Sequence, residues 1–198
     1  MRVEFPNPFP NEFGIRTSRG IASYRAIQAL YQAWRLKTLS LGSKEPIIEI
    51  GSGLGRTAFY AWRMGLQSYG IVDFPMTTVA QAPFLAHVVG ADNITLPSEP
   101  SKKGCINIST PAEFAANSSP VGIVVNIDSM TEMDQSHAQT YASAIVDRAR
   151  LFLSINHEFN PFRVADLPAF TDVARQRYPY WMRKGYAEEV FTISRAPD

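Results

Sequence analysis

Cysteine is almost absent: Cys105 is the only one in 198 residues, and there are only three histidines. A lone thiol excludes an internal disulfide framework and a multi-cysteine zinc site. No apolar run approaches the ~20 residues needed to span a bilayer. The opening segment, MRVEFPNPFPNEFG, has no apolar core of the kind a secretory signal carries. An excess of either charge is also missing. Lys plus Arg is 19 against 18 for Asp plus Glu, a net charge of +1. Nucleic-acid binders show a basic excess, and membrane-surface proteins carry polybasic clusters. These absences predict a cytoplasmic chain with no nucleic-acid partner and no membrane span.

Apolar material, by contrast, is plentiful. Hydrophobic residues make up 45% of the chain and aromatics 12%, which excludes a disordered chain. A chain of this size can bury roughly 70% of its unfolded surface, enough for one sizeable core.

Pro6, Pro8 and Pro10 alternate, which blocks helix and ladder pairing and predicts an extended arm. From Ser18 to Leu39, residues Ile21, Tyr24, Ile27, Leu30, Tyr31 and Trp34 recur at helical spacing, predicting one apolar stripe on a helix. The period then changes. Pro46–Ile50, Tyr69–Asp73, Val121–Ile127 and Leu151–Ile155 are apolar runs expected to be buried strands. Shorter strands are expected at Ile94–Leu96, Ile106–Ile108 and Val190–Ile193. Between them, helices are expected at Arg56–Met64, Pro75–Val89 (kinked at Pro83), Pro111–Ala116, Thr131–Arg148 and Pro168–Arg177. Thr131 and Asp134 look like a capping pair for the Thr131–Arg148 helix. Strand and helix alternate, so the fold class is α/β: a mostly parallel sheet with helices on both faces.

The informative element is Glu49-Ile50-Gly51-Ser52-Gly53-Leu54-Gly55, between the first sheet strand and the next helix. Ligands of open α/β sheets bind at the carboxyl ends of strands, where the strand order reverses. A dinucleotide fingerprint needs a third glycine five residues after the first. Arg56 occupies that position, and Gly55 comes one residue sooner. This counts against a dinucleotide oxidoreductase.

The G-x-G-x-G pattern, with Glu49 two residues before it, resembles motif I of the class I S-adenosylmethionine-dependent methyltransferases. Four further stretches carry the resemblance: Val72-Asp73-Phe74-Pro75, Val125 to Met133 (VNIDSMTEM), Ser154-Ile155-Asn156, and Tyr178 to Phe191. They are similar to the sugar O-methyltransferases of that superfamily, over about Pro46 to Ile193. The resemblance implies a Rossmann-like three-layer sandwich. It also implies S-adenosyl-L-methionine as cofactor and a sugar or glycan-linked hydroxyl as acceptor. It assigns Glu49, Gly51, Ser52, Gly53, Gly55, Phe74 and Asn126 to the cofactor, with Asp73 on the ribose hydroxyls. Ser109 and Thr110, after the third strand, are expected beside the adenine.

A sugar hydroxyl is a poor nucleophile while protonated, so a general base is expected, or a metal ion that acidifies it. Asp128, Glu132 and His157 are the candidates, each at the carboxyl edge of the sheet. His157 has the ordinary pKa best suited to base work near neutrality. Asp128 and Glu132 also suit the start of a helix. A divalent metal held by Asp128, Glu132 and Glu158 is a minor alternative, because their spacing is not diagnostic, and no metal ligand is assigned. Tyr178, Tyr180, Trp181 and Tyr186 read either as sugar-stacking faces or as the closing edge of the core.

Two units are therefore expected. Residues 1–45 form an arm and helix suited to a lid, and 46–198 form the methyltransferase domain. Little chain remains for an acceptor domain, so the arm, overhanging loops or a second copy in a homo-oligomer must complete the site. The alternatives are a non-sugar small-molecule O- or N-methyltransferase and a non-catalytic cofactor-binding module.

Overall fold

The structure, a computed structural model, describes residues 3–9 and 11–193. Pro10 of the expected arm and residues 194–198 of the expected catalytic domain lie outside the described residues. No helix among the described residues is long and apolar enough to cross a membrane.

Ahead of the main sheet, β1 (Ile15–Thr17) and β2 (Gly20–Ala22) pair antiparallel. β2 takes residues assigned by pattern to the start of the first helix, expected from Ser18. That helix, α1 (Tyr24–Ser40), begins later because Ser23 caps it, its hydroxyl accepting from the Ala26 N–H at 3.2 Å. The chain then alternates: β3 (Ile47–Ile50), α2 (Arg56–Arg63), β4 (Tyr69–Val72), α3 (Pro75–Val89), β5 (Ile94–Thr95), β6 (Ile106–Ser109), α4 (Pro111–Ala116), β7 (Val121–Ile127), α5 (Gln135–Arg148), β8 (Ala149–His157), β9 (Ala174–Pro179) and β10 (Tyr186–Thr192).

The eight-stranded sheet runs in the order β5-β6-β4-β3-β7-β8-β10-β9. All pairs are parallel except those of β10, which runs against both β8 and β9. Strand order reverses between β3 and β7, which fixes where a ligand crevice opens. Ile71, Ile123 and Val125 face one core, with Ala29, Ala33 and Leu36 of α1, Phe59 of α2 and Phe84 of α3. Val124 and Phe152 face the other, with Ala138, Ala142 and Ile145 of α5. The result is a three-layer α/β sandwich with α1–α3 on one face and α5 on the other.

Three expectations are corrected. Residues 168–177 are not a helix: a 3₁₀ turn (Pro168–Phe170) precedes β9, whose ladder with β10 overrides helical spacing. Thr131 does not start α5. It lies in a 3₁₀ turn (Met130–Glu132) with its hydroxyl on Asn156, and Asp134 caps the helix through Ser136. The aromatic stripe of α1 is not its buried face. Ala26, Ala29, Ala33 and Leu36 are buried instead, while Tyr24, Ile27 and Trp34 remain exposed. Small side chains let α1 lie close against α2, and the larger stripe turns outward, with Tyr31 edge-on to Trp181 at 5.6 Å.

Candidate active site

β3 delivers the glycine turn to the carboxyl edge of the sheet. Gly51 has φ +70°, and a Cβ there would lie 2.2 Å from Ser129 Oγ, so no side chain fits. Gly53 has φ +57°, and a Cβ there would meet no atom within 4 Å. The first glycine permits close packing, whereas the second leaves open space. Gly55 serves as the N-cap of α2.

Two cavities meet over this turn. One, of about 660 Å³, lies between the turn and the N-terminal segment, and is lined by Asn7, Phe9, Glu12, Tyr24, Arg25, Gln28, Glu49, Ser52, Asp128 and Arg183, among others. The other, of about 390 Å³, holds Asp73, Phe74, Thr77, Met133 and Tyr141. Gly51, Gly53 and Glu132 belong to both linings. Together they make one trough whose midpoint is the glycine turn and the Glu132 side chain.

The carboxylates along this trough sit in different surroundings. Asp73 ends β4; its Oδ1 accepts from the Phe74 N–H at 2.9 Å and its Oδ2 from Gln81 Nε2 at 2.7 Å. Glu49 is almost fully buried, with the Tyr69 hydroxyl donating to Oε2 at 2.9 Å. Burial raises its pKa to about 7, against the opposing pull of that hydrogen bond. Asp128, just past β7, has φ +57°, a strained conformation for a side-chain-bearing residue and one found often at functional sites. Its Oδ2 pairs with Arg183, and its buried Oδ1 has no partner among the described residues. The Arg183 guanidinium also lies 3.8 Å over the Tyr186 ring. Burial, and then the Asp128 carboxylate, push the Tyr186 hydroxyl above its ordinary range.

The N-terminal segment forms the outer wall. Glu12 pairs with Arg56 at 2.9 Å, and the Tyr60 hydroxyl donates to the Glu4 carbonyl at 2.9 Å. Behind it, α1 is held by a buried Glu188, which accepts from Arg35 at 2.7 Å and Tyr31 at 3.0 Å.

Several expected residues are placed elsewhere. His157 is absent from both linings. Its Nδ1 accepts from the Phe159 N–H at 3.1 Å and its ring stands edge-on to Tyr186 at 4.9 Å. The Ser109 hydroxyl donates to the Ile71 carbonyl, and Thr110 forms a capping box with Glu113; neither lines the trough. Asn126 is fully buried: Nδ2 donates to Ile50 O at 3.0 Å, while Oδ1 accepts from Asn156 at 3.0 Å and Met130 N at 3.2 Å. It ties β3, β7 and β8 together beneath the trough rather than facing it. Among the described residues no group of three His, Cys, Asp or Glu side chains is placed to hold a metal ion.

Pattern reading missed Thr77, Met133 and Tyr141 around the smaller cavity, and Tyr24, Arg25 and Gln28 in the larger. The latter three share one side of the first turns of α1, a signal visible only once the helix start is known.

No protein-family model matches the chain, and no curated protein matches it. Solved structures do. The methyltransferase domain of bacterial CtHen1 superposes with a TM-score of 0.62 at 12% identity, covering 87% of this chain and 100% of that one. The glycopeptide N-methyltransferase MtfA, complexed with sinefungin, gives 0.60 at 13% identity, covering 84% and 87%. The mitomycin 7-O-methyltransferase MmcR gives 0.57 at 12%, covering 85% and 56%. At these identities the likeness is one of architecture: the chain has the Rossmann-like fold of class I methyltransferases.

Proposed function

We propose that the chain is an S-adenosylmethionine-dependent methyltransferase that methylates a sugar or glycan-linked hydroxyl. The observation that carries this reading is the two-lobed trough across Gly51–Gly53. It lies at the strand-order reversal of a methyltransferase-type sheet, with an acid in each lobe. Support for the cofactor comes from MtfA, crystallised with sinefungin and with S-adenosylhomocysteine, two relatives of S-adenosylmethionine. Support for the sugar acceptor comes from the sequence resemblance.

The residues present fit such a cofactor. Asp73 offers carboxylate lone pairs to two ribose hydroxyls, and Phe74, Met133 and Tyr141 offer an apolar slot for a flat base. Open space at Gly53 lets a ligand lie against the backbone. Gly51, Ser52 and Glu49 flank the methionine part, while Gly55 and Asn126 shape the turn from behind. When bound, the sulfonium supplies an activated methyl group. The protein's task is then to hold an acceptor oxygen in line and take its proton.

Glu132 lines both lobes and so stands at their junction. Asp128 lines the acceptor lobe, with Arg183 paired to its Oδ2. We assign acceptor deprotonation to this carboxylate pair, and to His157 the packing of Tyr186. Within residues 1–45, the described part of the N-terminal segment (Asn7, Phe9 and Glu12) and α1 supply the acceptor-side wall.

The test is methyl transfer from labelled S-adenosylmethionine to a panel of nucleotide sugars, glycosides and amine-bearing small molecules. Labelling of a sugar hydroxyl, lost in Asp128→Asn, supports the reading. Labelling only of an amine contradicts the acceptor class while leaving the cofactor in place.

A further inference from the structure

Gln81 is completely buried in α3, eight residues after Asp73, and it bridges two parts of the candidate cofactor site. Its Nε2 donates to Asp73 Oδ2 at 2.7 Å and to Ser52 Oγ at 3.0 Å. The amide can face Asp73 only this way round. The opposite orientation would set two acceptors against each other, a carbonyl and a carboxylate. Its Oε1 is buried without a partner among the described residues. A buried acceptor left unpaired is costly, so packing alone would be served better by a leucine at this position. The amide is retained against that cost, and the groups it serves are Asp73 and Ser52.

We propose that Gln81 is a positioning residue for cofactor binding: it locks the Asp73 carboxylate in the orientation that receives the ribose hydroxyls. This rests on the reading of the trough as an S-adenosylmethionine site. The Phe74 N–H fixes one oxygen of Asp73 and Gln81 fixes the other. Each oxygen keeps a lone pair for a ligand, and the side chain cannot turn away. Preorganisation of this kind lowers the cost of binding without touching the ligand. The same amide ties Asp73 to the glycine turn through Ser52, so the two lobes of the trough are set relative to each other before a ligand arrives. Without Gln81, only the Phe74 N–H holds the Asp73 carboxylate, and Ser52 loses its anchor.

The experiment is calorimetric titration of S-adenosylhomocysteine into wild type, Gln81→Leu, Gln81→Glu, Asp73→Asn and the Gln81→Leu/Asp73→Asn double variant, with apo thermal melts as a check on folding. The expected result is roughly tenfold or greater weakening in Gln81→Leu, the scale of one lost hydrogen bond to a charged group. That loss should shrink to less than about threefold in the Asp73→Asn background, because the two residues act as one unit. Gln81→Glu keeps the shape and keeps a proton to donate only at low pH. Its affinity should fall more steeply between pH 6 and pH 8.5 than that of the wild type, in which Glu49, also on the trough, titrates over the same range; the added slope is what a purely structural role does not produce. Wild-type affinity in Gln81→Leu, or an undiminished loss in the Asp73→Asn background, overturns the proposal alone. Failure of the wild type to bind S-adenosylhomocysteine overturns the cofactor reading and this proposal with it.

Discussion

Glu12, in the N-terminal segment, forms an ion pair at 2.9 Å with Arg56, the first residue of α2, and both side chains are largely shielded from water. The pair draws the segment over the glycine turn, and Arg56 is further held 5.4 Å from the centre of the Phe84 ring. The segment is thus the outer wall of the larger cavity.

Breaking this pair should loosen the wall and leave the sheet intact. Glu12→Ala strands a largely shielded Arg56, a loss of about 1–3 kcal/mol in urea unfolding. Limited proteolysis should cut before Ser23 sooner than in wild type. Cleavage within the sheet instead would show that the segment supports the core.

The glycine turn gives a sharper contrast. Gly53→Val meets no neighbouring atom but holds a β-branched residue at φ +57°, so the apo protein should stay folded with a melting temperature lowered by several degrees, while S-adenosylhomocysteine binding disappears. Gly51→Val meets Ser129 at once and should fail to fold stably. Equal melting temperatures for the two would contradict the geometry drawn for the turn.

Glu49 makes stability depend on pH. Its folded pKa is about 7 against an ordinary 4.5. Between these values the folded chain holds a proton that the unfolded chain has released. Stability therefore falls as pH rises from about 4.5 to about 7, and the loss persists above. The size is at most about 3 kcal/mol for a shift of this extent. Glu49→Gln should remove the slope in urea titrations at pH 5, 6, 7 and 8. A slope unchanged in the variant would place its origin elsewhere.

Asn126 should prove structural. Asn126→Leu strands the Met130 N–H and takes one bond each from Ile50 O, which keeps Ser129, and from Asn156, which keeps Ser154 and Thr131, costing about 1–3 kcal/mol. Added S-adenosylhomocysteine should still raise the melting temperature of whatever fraction folds. A variant that melts like wild type yet binds nothing would make Asn126 a ligand contact instead.

The layered architecture was legible because its signals are local. Apolar runs at Ile47–Ile50 and Val121–Ile127, and the punctuation of Gly51, Pro75 and Gly90, settle most of the parallel half. The acids at strand ends were legible for the same reason. The antiparallel edge was not. β9 is exposed along its whole length and owes its conformation to pairing with β10, which no local pattern encodes. The face of α1 was misjudged because alanines, not aromatics, suit the close approach to α2. Ser109, Thr110 and Asn126 were polar residues at the right strand ends, but their hydrogen bonds go to the Ile71 and Ile50 carbonyls, to Glu113 and to Asn156 rather than to the trough. Gln81 carried no sequence signal, since its role depends on α3 bringing it back against Asp73 and Ser52.

The central claim is that the trough from Asp73 to Asp128 takes S-adenosylmethionine. Calorimetric titration of S-adenosylhomocysteine into wild type and Asp73→Ala tests it most directly. The account predicts one saturable site per chain in wild type and no measurable binding in Asp73→Ala, with both proteins folded. A wild type that does not bind, or an Asp73→Ala variant that binds equally well, would contradict it.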